Sequence, residues 1–215
     1  SFGEIFSAKY MTSVLNEKGL KARFVDARAL IKTDSNFGNA QPIDAETEKN
    51  IQKAFEHYEG ISVVTGFIAS TLQGETTTLG RNGSNYTASL LANYLDAEEF
   101  QNFTHVDGIY TANPDLVSDA KKIERLSFNE ANELANFGAN ILHAKTIIPL
   151  VEKNIPLRIL NVFNPESKGT LITSEQTDEG IKSLSILDNI SLINLEGRGL
   201  LGKTGVDARI FKVMA

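Results

Sequence analysis

Cysteine is absent from the chain, which excludes disulfides and thiolate-bound metals. Histidine is scarce. His57, His105 and His143 are scattered without metal-ligand spacing, so no structural zinc site is expected and no metal ligand is assigned. No apolar run approaches membrane-spanning length and no signal peptide opens the chain, which points to a soluble cytoplasmic protein. Cationic excess is also missing. Lys and Arg number 21 against 27 Asp and Glu, a net charge of −6, which argues against nucleic acid or a membrane surface as a general partner. Neither an internal repeat nor a low-complexity segment is found. What remains is 215 residues at 41% hydrophobic content, enough for one globular domain, or one domain and part of another.

Helical and strand patterns alternate along that length. Ala8 to Lys18 reads as a helix with Met11, Val14 and Leu15 on its inner stripe. Lys21 to Asp26 reads as a short strand, and Asp44 as the cap of a helix reaching about Tyr58. Ile61 to Phe67 is nearly all apolar and β-branched, as in a parallel strand buried on both faces. A helix over 84–95 and a strand near 100–106 follow. Ser127 and Glu130 form a capping box ahead of a helix, another helix covers 144–153 with Pro149 as a kink, and Pro156 to Val162 is a further strand. Such alternation with short connections predicts an α/β fold with a mainly parallel sheet covered by helices on both faces. Ser174 to Gly180 is polar and acidic, a linker. Beyond it, a strand at 190–195, a glycine-rich loop at 197–203 and a helix near Gly205 read as the start of a second domain. Both ends are abrupt, as in a piece of a longer chain.

Four segments carry candidate chemistry. In TTTLGRNGSN, 76–85, Gly83 and Ser84 fall at a helix N-terminus whose free N–H groups favour an anion, and Arg81 adds a guanidinium fork. Gly80 and Gly83 permit close backbone approach, and Ser84 can cap the helix. A capped turn with a solvated arginine fits the local pattern equally. The Walker spacing, with a lysine after the last glycine, is absent. In THVDGIYTANP, 104–114, Asp107-Gly108 marks a turn at a strand's carboxyl end, where open α/β sheets bind ligands, and Tyr110 suits a base or sugar; a hairpin with a core tyrosine is the alternative. In FGANILH, 137–143, Gly138 suits a helix end, or simply a helix-to-helix link. Glu4 is a lone carboxylate near the start, of interest only where it faces the arginine loop.

In fixed order, SFGE at 1–4, GF at 66–67, TTTLGRNGSN, THVDGIYTANP, FGANILHAKTI at 137–147, NVFNPESKGTLI at 161–172 and ISLINLEGRGLLGKTGVDARIF at 190–211 resemble aspartate kinase over essentially the whole chain. The RNGS form at 81–84 looks most like the bifunctional enzymes that carry homoserine dehydrogenase further along. The resemblance implies an amino-acid-kinase-like three-layer α/β/α domain over 1–173, a linker over 174–185 and the start of an α+β ACT-like regulatory domain over 186–215. It implies transfer of the γ-phosphoryl of MgATP to the side-chain carboxylate of L-aspartate, the first step toward lysine, threonine and methionine. Glu4, Phe67, Arg81, Asn82, Gly83, Ser84 and Asn85 would hold aspartate, with Arg81 on its α-carboxylate and Glu4 on its ammonium group. Thr104, His105, Asp107, Gly108, Tyr110, Asn140 and Ile141 match the ATP site. Gly199, Leu200, Gly202, Val206 and Asp207 match an effector loop that answers to threonine or lysine between paired ACT domains, which also implies a homo-oligomer.

Departures accompany the match. The family's Lys-Phe-Gly-Gly segment, whose lysine stabilises the transferring phosphoryl group, has no counterpart here. No catalytic residue is therefore assigned, and the chain alone is expected to be inactive. Asn85 and His105 replace family aspartates, Asp115 an arginine and Asn140 a lysine; Lys121, Lys122 and Lys145 are candidates to compensate. Two other readings stay open: an amino-acid-sensing module without catalysis, and a kinase for glutamate or acetylglutamate.

Overall fold

The computed structural model describes residues 2–136, 143–176 and 180–186, together with positions 191, 205, 208–209 and 211–212. Helix α1 spans Phe2–Glu17, longer than the pattern from Ala8 suggested. Glu4 in its first turn complements the N-terminal partial charge, and Gly3 is the only weak helix former ahead of Ala8. Ala8 is buried and Val14 and Leu15 half-buried, but Met11 is 50% exposed and does not belong to the inner stripe. Asn16 closes the turn that follows: its Nδ2 donates to the carbonyls of Thr12 and Ala22, and its Oδ1 accepts from the Ala22 N–H.

Strand β1, Ala22–Val25, leads to the short helix α2, Ala27–Leu30, the two-residue strand β2, Lys32–Thr33, and helix α3, Asp44–Phe55. Asp44 does not cap α3. That place falls to Ile43, with no side-chain bond, and Asp44 Oδ1 instead accepts from the Tyr94 hydroxyl at 3.0 Å. The run 61–67 is not one strand. β3, Ile61–Val64, stops, the chain turns at Phe67 (φ 69°), and β4, Ile68–Thr71, begins in another sheet. β4 is buried throughout, whereas Ile61 of β3 is 42% exposed.

Strand β5, Thr76–Thr78, precedes helix α4, Gly83–Tyr94, and strand β6, Phe100–Thr104. Strand β7, Arg125–Ser127, runs into helix α5, Phe128–Asn136, through the expected capping box. Ser127 N–H and Oγ donate to Glu130 Oε2, and the Glu130 N–H donates back to Ser127 Oγ. Helix α6, Ala144–Glu152, with Pro149 buried inside it, and strands β8, Leu157–Asn161, and β9, Thr170–Thr173, complete the described elements.

Parallel pairing predominates, as expected: β1 with β3, β2 with β4, β6 with β8, β7 with β9. The strands are nevertheless divided among three sheets in the described residues, β1-β3, β2-β4-β5 and β6-β8-β9-β7, with antiparallel pairs at β4–β5 and β8–β9. Two cores result. One gathers Ala27, Leu30, Ile31, Ile51, Ala69 and Leu79; the other gathers Phe100, Leu126, Leu150, Leu157, Ile159 and Ile172. Helix α4 joins them, giving Leu90 to the first and Ala92 to the second, and it packs along α6, where Asn93 Nδ2 donates to the Pro149 carbonyl at 2.7 Å.

Arg158 on β8 holds Glu99, just before β6, through Nε at 3.1 and 3.2 Å and Nη2 at 2.9 Å. These hydrogen bonds keep the Glu99 carboxyl below the usual carboxylate range. A depressed folded-state pKa contributes stability above the unfolded value, and that stability is lost as pH falls through the folded value. Glu99→Gln is expected to cost about 1 kcal/mol at neutral pH. The difference from the unsubstituted chain should shrink in urea titrations at pH 3.

Candidate functional site

The region around Arg81 is assembled by close backbone contacts. Phe67 N–H donates to Thr87 Oγ1 at 3.1 Å, and the Phe67 carbonyl accepts from Leu79 N–H at 3.0 Å. Thr87 Oγ1 in turn donates to the Gly83 carbonyl one helical turn back. Gly83 is buried, and a Cβ there would stand 2.9 Å from the Phe67 ring and 3.2 Å from Leu79 Cβ. A Cβ on Gly66 would stand 2.6 Å from Ser84 Oγ. The Gly66-Phe67 corner and the Arg81 loop are therefore pressed together, which the glycines permit.

The loop itself turns through left-handed positions at Gly80 (φ 79°) and Asn82 (φ 57°). Asn82 is the N-cap residue of α4 and makes no side-chain cap bond. Ser84 does not take that role and packs against Gly66 instead. The Gly83 N–H donates to the Gly80 carbonyl at 3.1 Å, so of the first-turn N–H groups of α4 those of Ser84 and Asn85 carry no cap bond. Arg81 is exposed, and among the described residues no hydrogen bond or ion pair engages its guanidinium. Asn85 is half-buried in the same turn.

Helix α1 packs on β1 and β3 and returns to β1 through a tight turn, so its first turn lies toward the carboxyl ends of those strands. That places half-buried Glu4 at the end where Gly66 and Phe67 follow β3, although no ion pair joins it to Arg81.

The 104–114 segment forms a second group, at the carboxyl ends of β6 and β8. Thr104 closes β6, with Oγ1 3.4 Å from Nδ1 of exposed His105, and its carbonyl accepts from Val162 N–H at 2.9 Å. Asp107 Oδ1 accepts from Asn161 Nδ2 at 2.7 Å and Asn164 Nδ2 at 3.1 Å, so this carboxylate pins the NVFNP loop. Gly108 is buried, where a Cβ would meet Thr170 Oγ1 at 2.5 Å. Tyr110 is half-buried and bridges to Lys122, whose Nζ donates to Ser167 Oγ at 3.1 Å. Ser183 Oγ donates to the Tyr110 carbonyl and Leu184 N–H to the Thr111 carbonyl, tying residues 183–184 to this loop. Asp115 is exposed, and its N–H donates to Asn113 Oδ1. Asn140, Ile141, Gly199, Leu200, Gly202, Val206 and Asp207 lie outside the described residues.

Sequence reasoning missed Thr87, whose place four residues after Gly83 is the available signal, and Asn39, which has none. Asn39 Oδ1 lies 2.6 Å from the position of a Gly80 Cβ and accepts from Lys145 Nζ at 2.6 Å. A cleft of about 620 Å³ between Glu48, Gln52 and Tyr94 lies at the opposite end of α4 from Arg81 and gathers none of these groups.

The sequence model of the amino acid kinase family matches residues 1–161. The chain is 38% identical over 223 residues to the chloroplastic bifunctional aspartokinase/homoserine dehydrogenase 1 of Arabidopsis thaliana, covering 99% of this chain and 24% of that protein. E. coli aspartokinase III in complex with aspartate and ADP superposes with a TM-score of 0.76 at 38% identity, over 82% of this chain and 40% of that one. The same enzyme in complex with lysine and aspartate gives 0.76 at 34% identity, over 99% and 48%. This chain thus spans about a quarter to a half of the relatives it matches.

Gly66→Ala should drive a methyl group into Ser84, whose Cα lies 2.9 Å from that position. The expected loss is about 1–3 kcal/mol in urea unfolding. Gly3→Ala, which meets nothing within 4 Å in a helix, should be neutral or stabilising.

Proposed function

The chain belongs to the amino acid kinase family, and on that premise we propose that it carries the acceptor and nucleotide sites of an aspartate kinase. The reaction transfers the γ-phosphoryl of ATP to the side-chain carboxylate of L-aspartate, giving 4-phospho-L-aspartate on the way to lysine, threonine and methionine. The observation that carries this reading is Arg81: a guanidinium without a protein partner among the described residues, beside an uncapped helix start. Such a site binds a carboxylate at fixed orientation.

Phosphoryl transfer depends on positioning and charge neutralisation more than on covalent chemistry. Arg81 takes the α-carboxylate, the Ser84 amide adds a donor, Gly83 allows the close approach while its own N–H serves the Gly80 carbonyl, and Glu4 receives the ammonium group. Asn82 and Phe67 shape the loop, and Asn85 contributes an amide without charge. On the donor side, Thr104, His105 and Tyr110 line the nucleotide, with Asn140 and Ile141 beyond the described residues. Asp107 and Gly108 act there by fixing the loop, since the Asp107 carboxylate already serves Asn161 and Asn164. Mg²⁺ arrives with the nucleotide phosphates. The described residues hold no group of three His, Asp or Glu side chains suited to a metal.

Residues 174–185 serve as linker and 186–215 as the start of an ACT-like regulatory domain, with threonine or lysine as feedback effector and a homo-oligomer built through paired ACT domains. No helix among the described residues is long and apolar enough to cross a membrane, and the reaction is set in the cytoplasm. Asp115, a carboxylate where the family has a cation, favours a second reading: amino-acid binding without catalysis.

Titration calorimetry with aspartate and ADP tests the site. Arg81→Ala should weaken aspartate binding about 100-fold, within the ~2–5 kcal/mol of a lost charge-assisted contact, and leave ADP unaffected. Unchanged aspartate affinity refutes the assignment. Phosphorylation of aspartate by a chain carrying the Lys-Phe-Gly-Gly segment separates the kinase from the sensing module.

A further inference from the structure

Lys145 stands in the first turn of α6, in the part of the molecule built on β6 and β8. Its ammonium group reaches across to the other part, where Nζ donates to Asn39 Oδ1 at 2.6 Å. The same oxygen lies 2.6 Å from where a Gly80 Cβ would stand, so Asn39 links the ammonium to the start of the Arg81 loop. Asn39 is not a loose partner. Its loop is tied to β5 on both sides, by Ala40 N–H to the Thr78 carbonyl and by Thr78 N–H and Oγ1 to the Phe37 carbonyl.

Folding does not account for this arrangement. A cation in the first turn of a helix opposes the helix dipole. Lys153 at the far end of α6 pairs with Asp96, whereas Lys145 has a neutral amide oxygen and, among the described residues, no carboxylate. The same turn holds the buried Thr146 hydroxyl, which has no hydrogen-bond partner among the described residues. A neutral acceptor is a weak claim on an ammonium group, because hydrogen bonds to an ionised acceptor are about twice as strong.

We propose that Lys145 is a specificity-determining residue of the acceptor site: it exchanges Asn39 for the second carboxylate of the acceptor, whose first carboxylate Arg81 holds. The inference rests on the aspartate-kinase reading. A dicarboxylic amino acid brings two anionic ends to this loop. Arg81 meets one, Asn85 brings no charge, and Lys145 is the further cation that the tertiary structure brings, through Asn39, to the start of this loop. The exchange draws the start of α6 toward the filled site and distinguishes aspartate from asparagine, which has the same shape and one charge fewer.

Calorimetry on the 215-residue chain with L-aspartate, L-asparagine and ADP tests it. K145M is expected to weaken aspartate about 10-fold or more while changing asparagine and ADP less than about 2-fold, and K145R to restore aspartate to within about 3-fold. Asn39→Asp captures the ammonium in an ion pair and should weaken aspartate in the same way; it decides the matter should K145M fail to fold. An unchanged aspartate-to-asparagine ratio in K145M, or in N39D where that variant decides, overturns the proposal. Aspartate binding lost in R81A but kept in K145M removes this inference and leaves the kinase reading standing. No aspartate binding by the unsubstituted chain removes both.

Discussion

Phe67 has a backbone that a bulky L-residue adopts only under compulsion, with φ at 69°. Such a conformation costs on the order of 1–3 kcal/mol and persists where its surroundings over-determine it. Here they do. Its N–H is held by Thr87, its carbonyl by Leu79, and its ring by the missing side chain of Gly83. The corner sends the chain from β3 in one sheet into β4 in another. It also seats the start of α4, and so sets where the Arg81 loop stands relative to the strand ends. Relaxing Phe67 would uncouple all three.

The pairing of charges separates cations that hold the fold from those without an anionic partner among the described residues. Arg23 stacks on Tyr58 with its guanidinium carbon 3.9 Å from the ring centroid, Arg28 closes on Asp26, and Arg158 on Glu99. The hydrogen bonds from Arg28 hold the Asp26 carboxyl low, as those from Arg158 do for Glu99. Arg81 has no such partner among the described residues, and Lys145 has an amide. Arg81 stands in the loop itself, and Lys145 approaches it through Asn39 from another part of the chain. An arginine used for folding is paired within the protein, whereas one reserved for a carboxylate must stay free, since an internal anion would compete with the ligand.

The two sides of the site were legible in the sequence to different degrees. The Arg81 loop could be recognised because glycines, an arginine and the onset of helical periodicity lie within a few residues of each other. The capping box at Ser127 and Glu130 could be read for the same reason. The 104–114 segment was harder. Asp107 looked like a ligand-facing turn, yet its carboxylate is engaged by Asn161 and Asn164. Asp44 looked like a helix cap, yet Tyr94 draws it away. In both cases a tertiary partner more than forty residues distant outcompeted the local role. The run 61–67 misled because apolar composition records burial and says nothing of the corner at Phe67.

Short-range chemistry was therefore enough to establish the class of fold, the alternation of elements, the helix boundary at the capping box and the glycine-flanked turn at Arg81 that opens α4. Each depends on residues within one or two turns, where backbone hydrogen bonding and side-chain periodicity act. The division into three sheets, the strained Phe67, the assignment of Asp107 to the NVFNP loop and the reach of Lys145 to Asn39 arose at the level of the folded chain. Those features depend on which surfaces meet after collapse, and no local pattern encodes the partner of a side chain that lies a hundred residues away.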